Sequence, residues 1–472
     1  MKITKREILF ICTGLFLLNF FLKLIFISYS DIGGDEPYTI YFSQHNFSGI
    51  MEMLKNENNP PLHFILIHFW IKLFGISAFS VRFPSVLFSS FSVIVIFLIG
   101  QKYFSSLIGL VAGLILTGST LHMFYAHDAR VYTMFFFIHS CSLYFYFKVI
   151  FSNDNKNRKM IFWLIITNIL LCYSHFFGFI VIFVQVFISL LVPQFRKHFL
   201  IQLMSLLIVI GSFAWYFPIL IERFKISSGG TWIPKPVITD VYSILWSFSN
   251  TPVLTVIFLC ILFYSFLFNW KRINAASNNI YKILLLFFSI YFFGLFFISL
   301  IFPVFIARYL LFISLYYYLI IAISFVYIFK SKKLHLIIGL IPPMLMLTTL
   351  KLKEGKNTRI NELSEFIKPL SKKQVSIIIT PEWYDLNFIY YYNPKWFTLT
   401  QHLRDTLIAH SIFSVNQQNI IPLINPLKPI ALINNNGHND SLELFLKQKF
   451  QFKEEKNFSG GLKLLLFDVR KN

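Results

Sequence analysis

The first long apolar stretch, Ile8–Ser28, reads ILFICTGLFLLNFFLKLIFIS, and the acidic segment Asp31–Tyr38, DIGGDEPY, follows it closely. A run of this length matches the roughly 20 residues that a helix needs to cross a bilayer. The run contains Lys23, and no small-residue cleavage site precedes Asp31. These features argue against a cleaved signal peptide and predict that the run stays as a membrane anchor.

The composition extends this interpretation to most of the chain. The 472 residues are 56% hydrophobic, 19% aromatic and 13% charged, and they include 59 Phe. A soluble core cannot absorb so much apolar surface, so the composition excludes a soluble globular protein. The apolar runs predict about eleven membrane spans, near 8–28, 84–100, 107–124, 131–150, 161–173, 176–193, 199–218, 253–270, 281–302, 306–329 and 334–350.

The net charge of +21 lies in the short connections between these runs. In one set of connections, which includes Lys5, Arg158 and Arg272, bases greatly outnumber acids, whereas the opposite set is balanced. An excess of Lys and Arg marks the cytoplasmic side of a membrane protein. The distribution therefore predicts that the loop 29–83 and the tail 351–472 are exported, and it argues against nucleic acid as a partner.

The tail 351–472 differs from the rest because it is more polar and its apolar runs are shorter. Its predicted strands lie near 375–379, 430–433 and 462–469, and its predicted helices near 359–370, 382–392 and 440–449. This alternation predicts a small α/β extracytoplasmic domain. Gly460-Gly461 is typical of a turn, and the tail lacks a phosphate-binding glycine loop. An acceptor-binding cap and a stabilising lid both remain open.

The loop 29–83 is too long for a passive connection, which indicates a function. It carries Asp35 and Glu36 after a Gly-Gly pair, where carboxylates stay ionised at the edge of the membrane. The apolar stretch 64–74 is too short to cross, so we expect a juxtamembrane helix whose start is fixed by Pro60 and Pro61. The acidic pair indicates an enzyme that acts on a membrane-embedded substrate.

A second polar cluster lies at the outer end of the third predicted span, in the stretch Tyr125–Tyr132. It contains His127, Asp128 and Arg130, and we expect the acid and the base to face one cavity. Taken alone, these two residues are equally consistent with a structural ion pair that anchors the next helix.

Three further residues lie on the same predicted side. His175 ends a span, where a hydrogen-bonded interfacial histidine is the usual explanation. Arg308 follows Pro303 at an apolar edge, where a guanidinium can grip a phosphate with two hydrogen bonds or reach out to lipid headgroups. Arg82 precedes Pro84, and topology anchoring explains it adequately.

Taken together, these motifs resemble the polyprenyl-phosphate-dependent glycosyltransferases of the membrane GT-C type, especially the family 39-like and aminoarabinose-transferase-like bacterial members. The matching motifs run in the family's order through about the first 330 residues: Gly34-Asp35-Glu36, Asn59-Pro60-Pro61-Leu62, Val81-Arg82-Phe83-Pro84-Ser85, Tyr125 to Met134, Tyr173-Ser174-His175-Phe176 and Arg308-Tyr309. Relatives often have glutamine and glutamate where His127 and Asp128 stand, and tyrosine at His63. The fold class expected is therefore an all-α polytopic GT-C-like membrane domain over 1–350, followed by the α/β tail.

The resemblance implies an inverting transfer of a sugar from a polyprenyl-phosphate donor to a glycan, lipid or protein acceptor. Asp35 is the expected base, with Glu36 orienting it or the acceptor and Asp128 positioning the sugar. The expected phosphate ligands are Arg130, Arg308 and Arg82, and the expected substrate contacts are His127, His175, Tyr132 and Tyr309. The implied location is the bacterial inner membrane, with the active site facing the periplasm.

Two questions stay open at this level. His127, Asp128 and Asp35 are candidate ligands for a divalent metal, but two arginines suffice for a lipid monophosphate, so no cofactor is required. The main alternative function is a multi-span transporter of a lipid-linked or anionic substrate, followed by a non-catalytic lipid-binding scaffold. The charges cluster on one rim and no repeated halves are visible, which favours the enzyme.

Overall fold

The computed structural model shows a mostly helical chain with one small sheet. It describes residues 4–55, 57, 59–152, 158–227, 232–276, 279–328, 332–353, 355–356, 359–371, 375–415, 425, 427–435 and 440–470. The helices up to residue 348 are α1 Lys5–Leu24, α2 Glu36–Ser43, α3 Phe47–Met53, α4 Leu62–Phe74, α5 Ala78–Tyr103, α6 Ser106–Thr117, α7 Thr120–Ala126, α8 Tyr132–Ile150, α9 Arg158–Ser174, α10 Phe177–Leu191, α11 Phe199–Phe213, α12 Phe217–Ser227, α13 Ile238–Phe248, α14 Pro252–Tyr264, α15 Trp270–Ala276, α16 Ile280–Ser299, α17 Ala307–Leu310, α18 Ser314–Val326, α19 Lys332–Gly339 and α20 Ile341–Thr348.

The polytopic helical fold class predicted from the sequence is confirmed. Within the described residues, 7 helices are long and apolar enough to cross a membrane, or up to 8 if one bent pair counts as a single span. The other predicted spans fall on shorter helices, so the number eleven stays a prediction. The short helix predicted over 64–74 is observed as α4, which begins at Leu62 directly after Pro60 and Pro61, and its juxtamembrane position stays a prediction.

The third predicted span is not one straight helix. The sequence predicted a continuous run over 107–124, but α6 and α7 meet at an angle of 61°. Gly118 follows the last residue of α6, and the Ser119 hydroxyl caps α7 by accepting a hydrogen bond from the His122 N–H at 3.3 Å. The carbonyl of Gly118 accepts a hydrogen bond from Asn250 at 2.8 Å, so the break leaves this backbone group satisfied.

The chain divides into two compact units. The first, here the membrane unit, consists of 1–27, 51–63 and 82–354, and the second, here the tail unit, consists of 28–50, 64–81 and 355–472. The acidic segment that follows α1 therefore belongs to the same unit as most of the C-terminal tail.

The core of the membrane unit is built around α18. It packs against α6, α14 and α16, and nearly all residues of the apolar stretch Ala307–Val326 are buried. A helix that is apolar on all sides needs protein or lipid around it, and α18 is surrounded mainly by protein. Polar side chains inside the unit pair with each other, as Tyr146 does with Ser189 at 2.9 Å.

The tail unit contains the predicted α/β fold. Its remaining helices and its strands are α21 Ile360–Ser371, α22 Asp385–Tyr392, α23 Pro394–Phe397, α24 Leu403–Ala409, α25 Asp440–Lys449, β1 Ser376–Thr380, β2 Ile412–Ser414, β3 Ile430–Asn435, β4 Gln451–Asn457 and β5 Leu462–Asp468. The sheet order is β2-β1-β3-β5-β4, in which β1 runs parallel to β2 and β3, and β5 runs antiparallel to β3 and β4. The predicted turn at Gly460-Gly461 is observed between β4 and β5.

The contact between α5 and α6 gives a test of packing in the membrane unit. A Cβ atom added at Gly100 would lie 2.5 Å from the Cα of Gly109, so Gly100→Ala must push the two helices apart. We expect it to lower the free energy of unfolding by about 1–3 kcal/mol. Gly294→Ala is the matched control, because its added Cβ meets no atom of the described residues within 4 Å. Thermal unfolding of both variants in detergent measures the difference, and equal melting temperatures would contradict the packing.

Candidate functional site

The acidic pair of the tail unit sits on a sharp turn that begins α2. Gly34 has a φ of +58°, which favours glycine, and Pro37 lies in the first turn of α2. Asp35 occupies the N-cap position and is exposed, yet its side chain makes no capping hydrogen bond to that helix. The carboxylate of Asp35 is therefore not committed to holding the helix end.

Glu36 has the opposite environment. It is fully buried, and one of its carboxylate oxygens, Oε2, lies 3.3 Å from the ammonium group of Lys356. The same oxygen accepts a hydrogen bond from the N–H of Gly33 at 3.3 Å. Because a buried carboxylate needs partners of this kind, the turn holds two neighbouring acids in different states of exposure.

In the membrane unit, Arg130 is buried and forms an ion pair with Glu57. The distance between Arg130 Nη2 and Glu57 Oε1 is 3.6 Å, and both side chains are at least nine-tenths buried. The side chain of Asn59 donates a hydrogen bond to the same oxygen, Glu57 Oε1, at 2.7 Å. Sequence reasoning missed Glu57 as a site residue. The signal for it was an acid two residues before Asn59-Pro60 in a chain with few charges.

His175 lies close to both predicted phosphate-binding arginines. Burial, together with the positive charges of Arg130 and Arg308, lowers the pKa of His175 to about 3. Its Nδ1 accepts a hydrogen bond from the N–H of Phe177 at 3.1 Å, so the proton of the neutral ring is on Nε2. His63 is similar, because burial and Arg130 lower its pKa to about 3.

Aromatic rings connect these residues. The guanidinium of Arg308 lies over the rings of Trp232, at 4.8 Å, and Tyr309, at 5.2 Å. The ring of Tyr309 is 5.6 Å from that of His175, and the ring of Tyr132 is 6.5 Å from it. A guanidinium that lies over an aromatic ring keeps its N–H donors available, because they point outward in the plane of the guanidinium itself.

The remaining predicted site residues are held by backbone contacts. Asp128 is buried, and its carbonyl accepts a hydrogen bond from Ser85 at 2.7 Å. A ring nitrogen of His127, Nε2, lies 2.8 Å from the carbonyl of Lys23. Arg82 is fully buried and donates a hydrogen bond to the carbonyl of Ile27 at 2.9 Å.

The membrane unit thus brings several of the predicted residues into one cluster, whereas Asp35 and Glu36 belong to the tail unit. The cluster joins Arg130 and Arg308 through His175, with Tyr132 and Tyr309 at its side. Among the described residues, no group of three or more His, Cys, Asp or Glu side chains is placed to hold a metal ion. The catalytic and binding roles of all these residues stay predictions.

The lowered pKa of His175 predicts a pH dependence of stability. The unfolded chain binds a proton near the ordinary value of 6.5, whereas the folded chain does so only near 3. The free energy of unfolding therefore falls as the pH drops below 6.5, by up to about 1.4 kcal/mol per pH unit. We expect the melting temperature of His175→Gln to fall less than that of the parent between pH 7.5 and pH 5. The exposed His402→Gln should follow the parent, and an identical slope for His175→Gln would contradict the pKa.

Comparison with known proteins gives a family match over part of the chain and a fold over nearly all of it. Residues 58–221, which include Arg82, Asp128, Arg130 and His175, match the family model of dolichyl-phosphate-mannose-protein mannosyltransferases. None of the curated proteins matches the chain significantly.

Two similar solved structures are crystal structures of ArnT from Cupriavidus metallidurans. The one bound to undecaprenyl phosphate has a TM-score of 0.60 and 11% identity, and the match covers 98% of each chain. The apo structure has a TM-score of 0.59 and 11% identity, with 97% of each chain covered. The resemblance to GT-C glycosyltransferases predicted from the sequence is confirmed, by the family model over residues 58–221 and by an ArnT-like fold over nearly the whole chain.

Proposed function

We propose that this integral membrane protein transfers a sugar from a polyprenyl-phosphate donor to an extracytoplasmic acceptor, with inversion at the anomeric carbon. The observation that carries the proposal is the pair of arginines beside His175: buried Arg130 lies in the segment that matches the mannosyltransferase family, and half-buried Arg308 follows later in the chain. The ArnT structure of the same fold holds undecaprenyl phosphate, which supports a polyprenyl phosphate as the carrier of the donor sugar. The proposed location is the bacterial inner membrane, with the reaction on the periplasmic side.

The donor phosphate would lie against the arginine cluster. Arg130 and Arg308 supply two positive charges, and the Nε2–H of neutral His175 adds a donor that does not titrate at physiological pH. Two guanidinium groups in a low-dielectric site can hold a leaving monophosphate by hydrogen bonds and charge, although Glu57 offsets part of the charge of Arg130. Glu57 keeps Arg130 in place, since a guanidinium held on one edge by a carboxylate presents the other edge to a ligand.

The chemical step uses the acids. Asp35 would accept the proton of the acceptor hydroxyl as that oxygen attacks the anomeric carbon, and the bond from that carbon to the phosphate oxygen breaks. The products are the glycosylated acceptor and the polyprenyl phosphate. Asp35 suits a base because it is exposed, Glu36 would orient the turn, and Asp128 would position the sugar. Arg82, His127, Tyr132 and Tyr309 remain proposed substrate contacts.

A donor panel tests this function. The purified protein in nanodiscs is incubated with undecaprenyl phosphate linked to different labelled monosaccharides, with a cell-envelope extract as acceptor. Release of undecaprenyl phosphate together with transfer of label to the extract supports the proposal. Movement of an intact donor across the bilayer of sealed proteoliposomes, without cleavage, would favour the transporter instead.

The geometry of the phosphate site gives a separate prediction. Arg308→Lys keeps the charge but loses the two-pronged guanidinium and its stacking on Trp232, so we expect the Kd for undecaprenyl phosphate to rise about tenfold. Arg404→Lys is the control, because this arginine is exposed and pairs with Glu382. Binding is measured by tryptophan fluorescence in nanodiscs. An unchanged Kd for Arg308→Ala would leave Arg308 as a membrane anchor.

The proposed base, Asp35, can be tested by a substitution that removes only its basicity. Asp35→Asn keeps the shape of the side chain and removes its basicity, so transfer should fall about a hundredfold to ten-thousandfold while undecaprenyl phosphate still binds. Asp405→Asn, at an exposed position of the same unit, should leave turnover unchanged. Initial rates with the donor found in the panel measure both variants. Turnover of Asp35→Asn within a few-fold of the parent would move the base elsewhere, with Asp128 the next candidate.

A further inference from the structure

Lys356 makes two contacts with the acidic turn inside the tail unit. Its ammonium group lies 3.3 Å from Glu36 Oε2, and it donates a hydrogen bond to the carbonyl of Gly33 at 2.8 Å. The side-chain carbons of Lys356 also lie beside Gly34, where an added Cβ would meet them at 3.3 Å. One side chain from the C-terminal part of the chain therefore lies against three positions around the proposed base, Gly33, Gly34 and Glu36.

Other residues of the C-terminal part support the same turn. The N–H of Ile32 donates a hydrogen bond to the hydroxyl of Tyr391. The side chain of Asn387 donates to the carbonyl of Gly34 at 3.2 Å, and the N–H of Asn361 donates to the carboxylate of Asp31 at 2.9 Å. The segment 31–36 thus uses partners more than 300 residues away for its own backbone.

The energetics single out Lys356 among these contacts. Glu36 is fully buried, and a buried carboxylate that loses a cationic partner destabilises its local structure. We expect the turn then to shift so that Glu36 reaches water or other partners. Because Asp35 is the adjacent residue in the chain, a shift of the turn also displaces its carboxylate.

We propose that Lys356 is a positioning residue that fixes the Gly33–Glu36 turn, and that the C-terminal domain thereby serves the transfer step itself rather than acceptor binding. This inference rests on the proposed function of Asp35. It goes further because it gives the tail a defined task. The sequence left two tasks open, an acceptor-binding cap and a stabilising lid. Lys356 acts through Glu36 and needs no contact with either substrate.

Kinetics on the full-length protein test the proposal. With the undecaprenyl-phosphate-linked sugar that the parent turns over, Lys356→Met should lower kcat about 10- to 100-fold, while the KM values for donor and acceptor stay within threefold. Lys356→Arg should restore part of kcat. Lys368→Met is the matched control, because this lysine pairs with Glu365 on the surface of the same unit and should leave kcat unchanged.

A double variant separates positioning from a general loss of stability. If Lys356 acts through Glu36, then Lys356→Met should cost little more once Glu36→Gln is present, so the two effects should be far from multiplicative. Multiplying effects would overturn the proposal. A raised acceptor KM with unchanged kcat would also overturn it, since that result makes the tail an acceptor cap, and so would an unchanged kcat.

Hydrogen–deuterium exchange gives a readout that needs no turnover. In Lys356→Met, the amides of 31–43 should exchange faster than in the parent, whereas those of β1 and β3 should not change. Tyr391→Phe, which removes one hydroxyl, should produce a smaller increase in the same segment. If no donor in the panel reacts, the proposed function fails, yet faster exchange still establishes the link between Lys356 and the turn. Unchanged exchange in Lys356→Met overturns the link, whatever the activity.

Discussion

A charged side chain that is buried away from water needs an opposite charge or a set of aligned dipoles beside it, because the free energy of burying it in a medium of low dielectric constant is otherwise too high. Both units of this protein obey this constraint at their proposed functional residues. In the membrane unit, buried Arg130 pairs with Glu57. In the tail unit, buried Glu36 pairs with Lys356. Arg130 is itself a proposed phosphate ligand, and Glu36 adjoins the proposed base Asp35. The pairing that makes burial tolerable therefore also holds the proposed functional residues in place.

The same constraint explains the less reactive polar residues of the membrane unit. Lys23 lies within α1 and donates a hydrogen bond to Ser89 at 2.6 Å, while Arg82 donates to the carbonyl of Ile27. Such contacts tie the end of α1 to α5. A charged residue in an apolar span often indicates function. Here the observed partners give these two residues a structural task in addition to any role in binding.

Periodicity and composition were enough to predict the elements but not their partners. The apolar runs predicted the spans, and short β-rich runs predicted strands that are observed as β1, β3 and β5, because burial imposes a local pattern on the sequence. The bend at Gly118 was missed, since the run 107–124 stays apolar through it. The Arg130–Glu57 and Glu36–Lys356 pairs were also missed, because the partners are far apart along the chain and no local pattern encodes a long-range contact. Alternate connections between membrane spans lie on the same side of the membrane. Only this rule allowed the sequence to group four residues on one side: Asp128, Arg130, His175 and Arg308.

The two adjacent acids show why position within a turn matters more than residue type. The side chains of Asp35 and Glu36 differ by only one methylene group, yet the turn exposes the first and buries the second. An exposed carboxylate can take a proton from a substrate and release it to water, whereas a buried carboxylate that is paired with a lysine holds its charge and its place. Exchanging the two residue types would leave the charge unchanged but put the shorter side chain at the buried position, out of easy reach of Lys356. The order Asp-Glu after Gly33-Gly34 therefore suits the geometry of the turn, and it supports Asp35 as the proposed base.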